Sequence, residues 1–241
     1  MGVMGDRTER LGRTLADSGV RNGDEVIVPS FGTADVAEAV RLAGAVPVFA
    51  DIEADSYCLD PSAVSAAVTP RTAAIVPAHQ FGHRADLAGI GETARRHGLL
   101  IVEFEESEST AAETLVRQEN AAYLTARLKG VVTPEVAPGA GHTYQQYVVR
   151  IPGNGRPDRD AFALVLRSRG IPCRVPVQTP VHRMPRFRRP DSLTQPAWLP
   201  ETERASDECL ALPVEAGLRK RDLHRLAGAC NALGGLLQPA A

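Results

Sequence analysis

Four short apolar runs mark the first hundred residues: Glu25-Val26-Ile27-Val28, Val46-Pro47-Val48-Phe49-Ala50, Thr72-Ala73-Ala74-Ile75-Val76-Pro77 and Leu99-Leu100-Ile101-Val102. Each is continuous rather than alternating, the pattern of a strand covered on both faces. Helical stretches lie between them. Thr33 to Ala43 sets Val36, Ala37, Val40 and Leu42 on one face. Asp60-Pro61-Ser62 opens a short helix, with Pro61 suited to its first turn. Leu87 to His97 forms another, closed by Gly98. Repeated strand-helix units predict right-handed crossovers and a parallel α/β sheet of about four strands.

The pattern changes after Thr110. Residues 111–129 read as one amphipathic helix carrying Leu115, Val116, Ala122, Leu124 and Leu128, and a Pro/Gly-rich passage runs from Thr133 to Gly141. A second unit follows: strand Tyr144 to Ile151, helix Arg159 to Arg169 and strand Ile171 to Val175. A Pro- and Arg-rich irregular stretch, Pro176 to Pro200, leads to helices over 201–209 and 220–236. The expected organisation is a large α/β domain over 1–110, then a linking helix and a small α+β lobe over 111–241.

Composition narrows the function classes. The chain is 44% hydrophobic and 23% charged with net charge -2, so nothing in its charge calls for nucleic acid or an anionic membrane. Cys58, Cys173, Cys209 and Cys230 form no C-x-x-C pair, which argues against a zinc site or a disulfide framework and for reduced thiols in the cytoplasm. The N-terminus lacks an apolar signal core and no apolar run reaches bilayer length, so no membrane association is expected.

Chemistry is expected at the C-terminal ends of the strands, where α/β sheets bind ligands. His79 and His83 flank the end of the third run, and the fourth leads into Glu103, Glu105, Glu106 and Glu108. His79, Glu103, Glu105 and His182 are the candidate acid/base groups, set against structural histidines and an acidic strand edge. As a metal pair the two histidines lack a third ligand of convincing spacing. Ser30 follows the first strand without a nucleophile-elbow pattern, so it joins His83 as a candidate for substrate contact. Arg183, Arg186, Arg188 and Arg189 bracket Met184, Pro185 and Phe187, either as a solvated connector or as a grip on a diphosphate, with Arg183 and Arg186 the chosen candidates.

Asn22-Gly23-Asp24-Glu25-Val26-Ile27-Val28-Pro29-Ser30-Phe31, Ala43 to Ile52, Thr69 to Pro77 with His79 and Gly82, Glu119 to Tyr123, Tyr147 to Arg150, Pro180-Val181-His182 and Leu212-Pro213 together resemble the DegT/DnrJ/EryC1/StrS family of sugar aminotransferases. The resemblance implies a shortened fold-type-I-like aminotransferase fold, nucleotide-sugar ligands and a dimer that builds its sites across subunits. It also implies pyridoxal phosphate (PLP) on a lysine beyond the fourth strand. Here Ser109-Thr110 passes almost directly into the next helix, and only Lys129 and Lys220 are lysines. The family's pyridine-nitrogen Asp corresponds to Phe104, its ring-stacking aromatic to Thr33, and its Ser-Gly-Thr phosphate cradle to Asp6-Arg7-Thr8.

From these departures the expected cofactor is none. Three functions follow: a pseudo-enzyme or auxiliary partner in sugar or natural-product biosynthesis, a cofactor-independent acid/base isomerase or cyclase, and an aminotransferase completed by another chain. The expected partner is a second copy or a full-length aminotransferase.

Overall fold

The computed structural model describes residues 3–105, 109–136, 141–152, 158–187 and 198–237, and divides the chain into two compact units. Unit 1 comprises Met1–Gln80, Arg84–Glu106 and Thr179–Glu203; unit 2 comprises Phe81–His83, Ser107–Gln178 and Arg204–Ala241. The units are therefore not consecutive. Segment 179–203, expected with the second lobe, belongs to the first, because Val181 and Phe187 bury against Ala34, Ala37 and Phe49.

In unit 1 the elements are α1 (Val3–Asp17), β1 (Glu25–Pro29), α2 (Asp35–Leu42), β2 (Val46–Ala50), α3 (Pro61–Ala67), β3 (Thr72–Ile75), β4 (Ala78–His79), α4 (Leu87–His97), β5 (Leu100–Ile101) and β6 (Phe104–Glu105). The main sheet is parallel in the order β2-β1-β3-β5, and β4 pairs with β6. Val26, Ile27 and Val28 of central β1 are fully buried between two apolar layers. One layer joins Leu11, Leu15, Val36 and Val40; the other joins Leu59, Val64, Ile75 and Ile90. That two-sided burial is why β1 reads as a continuous apolar run.

Local chemistry sets the helix ends. The Asp60 carboxylate accepts from Ser62 N–H at 2.8 Å with Pro61 in the first turn, and Asp86 accepts from Ala88 and Gly89 N–H. Gly98 ends α4 in the left-handed conformation, φ 67°.

Two features differ from expectation. Helix α1, whose Leu11 and Leu15 cover the sheet, has no counterpart in the strand-helix repeat. The fourth run forms only β5, and the chain beyond it forms a separate β6, because Pro77 on the neighbouring strand has no N–H and the ladder resumes only at Ala78–Phe104. The outer strand β5 leaves Leu100 and Ile101 each 37% exposed.

Unit 2 contains α5 (Ala111–Thr125), β7 (Tyr147–Arg150), α6 (Asp158–Ser168), β8 (Cys209–Leu212) and α8 (Lys220–Leu237), with α7 (Pro200–Glu208) crossing the division between units. A Thr110/Glu113 capping box starts α5. β7 and β8 are antiparallel, and their core face carries Tyr147, Val149, Leu210 and Leu212 against Leu124, Phe162, Leu166 and Leu226. The expected strand at 171–175 is reduced to a single bridge between Arg174 and Ala211. Pro172 and Pro176, which cannot donate to a ladder, bracket it.

Candidate functional site

In unit 1 the chain leads from β1 to β2 on one side of the sheet and to β3 and β5 on the other, so the order reverses between β1 and β3. A crevice beyond the carboxyl ends of these two strands is where an open α/β sheet receives a ligand. Ser30 follows β1 there, and His79 and Gln80 follow β3.

Ser30 is fully buried and lies 2.6 Å from His182 Nδ1, while the His182 backbone N–H donates to Ser30 Oγ at 3.0 Å. His182 Nε2 is 2.9 Å from Glu203 Oε1. With the Ser30 hydroxyl donating to Nδ1, the ring is a neutral Nε2–H tautomer that donates to Glu203. Arg183 Nε donates to the same carboxylate at 2.8 Å, and a second Arg183 nitrogen pairs with its other oxygen. Burial pushes the His182 imidazole below its ordinary value, against the opposing pull of Glu203. The order Ser–His–Glu is that of a charge relay, but a serine with no exposed surface cannot attack a substrate. Chemically the relay locks segment 179–203 onto the end of β1.

The second cluster is His79 with Glu103. Ala85 N–H donates to His79 Nδ1 at 3.1 Å, so the proton sits on Nε2, which faces Glu103 Oε2 at 3.1 Å. His79 is buried and the Glu103 side chain is 51% exposed, so this carboxylate reaches solvent. Glu105 is exposed, and its carbonyl accepts from Arg7 at 3.3 Å. Between the clusters Gln80 is 1% exposed, and its Oε1 has no partner among the described residues. Gly32 (φ 148°) allows this amide its close approach: a Cβ there would stand 2.5 Å from Gln80 Nε2.

The remaining candidates separate. Arg186 pairs with Glu38 at 3.0 Å and lies over the Phe187 ring, so each of the two chosen arginines already holds a carboxylate. Arg188, Arg189, Glu106 and Glu108 lie outside the described residues. His83 belongs to unit 2, its ring edge-on to His142 at 4.0 Å. Burial, and secondly the charge of His83, push His142 down to about 3. Among the described residues no group of three or more His, Cys, Asp or Glu could hold a metal ion.

Sequence reasoning missed Glu203 and Asp51. Asp51 caps α7 by accepting from Thr202 N–H at 2.8 Å and Glu201 N–H at 3.0 Å, which places Glu203 against His182. Asp51 lies 151 positions from Thr202 and Glu203 lies 21 from His182, so neither pairing leaves a local spacing signal; the acidic start of α7 hinted only at Glu203.

Residues 6–104 and 108–231 match the DegT/DnrJ/EryC1/StrS aminotransferase family. A pleiotropic regulatory protein of Geobacillus stearothermophilus is 26% identical over 305 positions, covering 90% of this chain and 80% of that protein. An alignment that long exceeds the 241 residues present, so part of the relative has no counterpart here. The L-glutamine:2-deoxy-scyllo-inosose aminotransferase of Streptomyces kanamyceticus is 50% identical over 96 residues, 40% of this chain. Matches of this second kind span only 22% to 28% of the curated relatives. The structure of S. venezuelae DesV in complex with a ketimine intermediate superimposes with TM-score 0.82 at 25% identity, covering 94% of this chain and 82% of that one.

These relatives correct one expectation. An aminotransferase family with a member solved as a ketimine complex points to a pyridoxal-type cofactor, so the expectation of none is withdrawn, and with it the cofactor-independent isomerase or cyclase. Lys129 and Lys220 are both exposed in unit 2, in the irregular segment beyond α5 and at the first residue of α8. Phe104 is 7% exposed within the unit 1 core and offers a pyridine nitrogen no partner. Asp6, Arg7 and Thr8 lie inside α1.

Proposed function

From the premise that this chain belongs to the DegT/DnrJ/EryC1/StrS aminotransferase family, we propose that it serves sugar or aminocyclitol biosynthesis as one part of a transaminating assembly. The imine-forming lysine comes from another polypeptide. One observation carries this reading: the two lysines of the chain are solvated, whereas an imine-forming amine must be enclosed for its pKa to fall. The break in the family match at 104–108 supports it, as that is where the lysine-bearing segment is expected.

The partner that supplies the lysine is a full-length aminotransferase, in the cytoplasm. No helix among the described residues is long and apolar enough to cross a membrane, so the assembly needs no membrane-spanning part of this chain. The acceptor is a keto-sugar or keto-cyclitol, as the name of the Streptomyces kanamyceticus relative suggests. His79 and Glu103 are the groups of unit 1 best placed to move a proton, because their tautomer is set and the carboxylate reaches solvent.

The test is borohydride trapping with PLP. The purified chain alone should acquire no covalent pyridoxyl mass, and a mixture with a lysine-bearing family member should acquire it on that partner, with transamination above the partner's own rate. A pyridoxyl adduct on Lys129 or Lys220 of the isolated chain refutes the proposal.

A further inference from the structure

Unit 2 contains a cleft of about 230 Å3 at the end of the β7–β8 ladder, lined on one wall by Ala211, Leu212, Pro213 and Val214. Its polar groups are Gln145 and Gln146, Arg174 and Glu215. The backbone of Arg174 is held by reciprocal hydrogen bonds with Ala211 of 3.1 and 2.8 Å, so its side chain projects from a rigid base. The Arg174 guanidinium and the Glu215 carboxylate are both exposed, and neither has an ion pair or side-chain hydrogen bond among the described residues. They line one cleft without reaching each other.

Two opposite charges held apart on a small cleft with an apolar wall suit a zwitterion carrying an aliphatic side chain. A phosphate ligand does not suit it, with a single arginine and a carboxylate on the same rim. The volume lies below the range of about 300–1,000 Å3 usual for drug-sized ligands, which favours a molecule of amino-acid size. A neighbouring cavity of similar volume lacks this provision: its Arg225 already donates to the carbonyls of Arg169 and Gly170.

We propose that this cleft binds a free aliphatic α-amino acid, with Arg174 on the carboxylate, Glu215 on the ammonium, and the side chain against Pro172 and Ala211. The site is built wholly from unit 2, and its occupancy is independent of the transamination reading.

Calorimetric titration of the full chain, without cofactor, tests it with three probes: L-leucine, its methyl ester and its 2-oxo acid. L-leucine should bind, with the ester and the oxo acid at least tenfold weaker. Arg174→Gln and Glu215→Gln should each weaken L-leucine at least tenfold while circular dichroism stays unchanged, as expected for exposed side chains. Absence of L-leucine binding, equal binding of the three probes, or indifference to both substitutions overturns the proposal.

Discussion

The polar groups of the two units are used differently. In unit 1 the strand-end histidines are saturated by their own neighbours: His182 uses one nitrogen on Ser30 and the other on Glu203, and His79 uses Ala85 and Glu103. In unit 2 the cleft beside β8 leaves a cation and an anion unpaired among the described residues. A buried imidazole must be satisfied at folding, since an orphaned polar group costs about 1–3 kcal/mol, whereas exposed charges stay solvated at little cost until a ligand arrives. Hydrogen-bonded order at a strand end therefore marks structure as readily as chemistry.

The strongest way to break this contrast is at Phe104. Phe104→Asp restores the carboxylate that the family resemblance implies, but it removes a packed ring and places a charge in the unit 1 core. A loss of roughly 3–5 kcal/mol is expected, read as a lower urea midpoint. Tolerance of this change would mean that the strand end is open enough for a pyridine ring after all.

Acid comes next. His142 has its folded pKa pushed from 6.5 to about 3, so the unfolded chain takes up the proton more readily. Stability is then full above about pH 6.5 and is lost as pH falls towards 3, by about 2 kcal/mol at pH 5. His182, also lowered, adds to the loss in the same direction. Urea midpoints at pH 7 and pH 5 measure it. His142→Asn, whose Oδ1 replaces Nδ1 as acceptor for Tyr144 N–H at 2.8 Å, should flatten the difference.

The smallest effects sharpen the comparison within unit 1. Ser30→Ala strands the His182 backbone N–H and Nδ1, and should cost about 1–3 kcal/mol of stability. Arg183→Ala removes a half-exposed ion pair and should cost below about 1 kcal/mol. Equal losses by thermal unfolding would show that the exposed pair holds segment 179–203 as firmly as the buried hydroxyl does.

Much of this was legible beforehand. The continuous apolar runs located β1, β2 and β3, because burial on both faces leaves no alternation, and Asp60-Pro61 and Gly98 located helix ends, because capping is local chemistry. The alternation through 103–105 was also legible, with Phe104 inward and its glutamates outward. Ser30 and His182 were singled out as residues but not as a pair, and Glu203 was not singled out at all. A hydrogen bond between residues 152 positions apart has no period to read.

By itself, the sequence determined the strand-helix repeat of the first unit from β1 to β5, the parallel sheet implied by that repetition, and the scarcity of lysines. These are properties of local pattern and composition. Only the tertiary structure decided that residues 179–203 return to the first unit, that Asp51 and Glu203 position His182, that Arg183 and Arg186 are already engaged, and that Arg174 and Glu215 share a cleft. Such contacts depend on which surfaces bury together, and packing brings distant residues into reach without leaving a trace in their spacing.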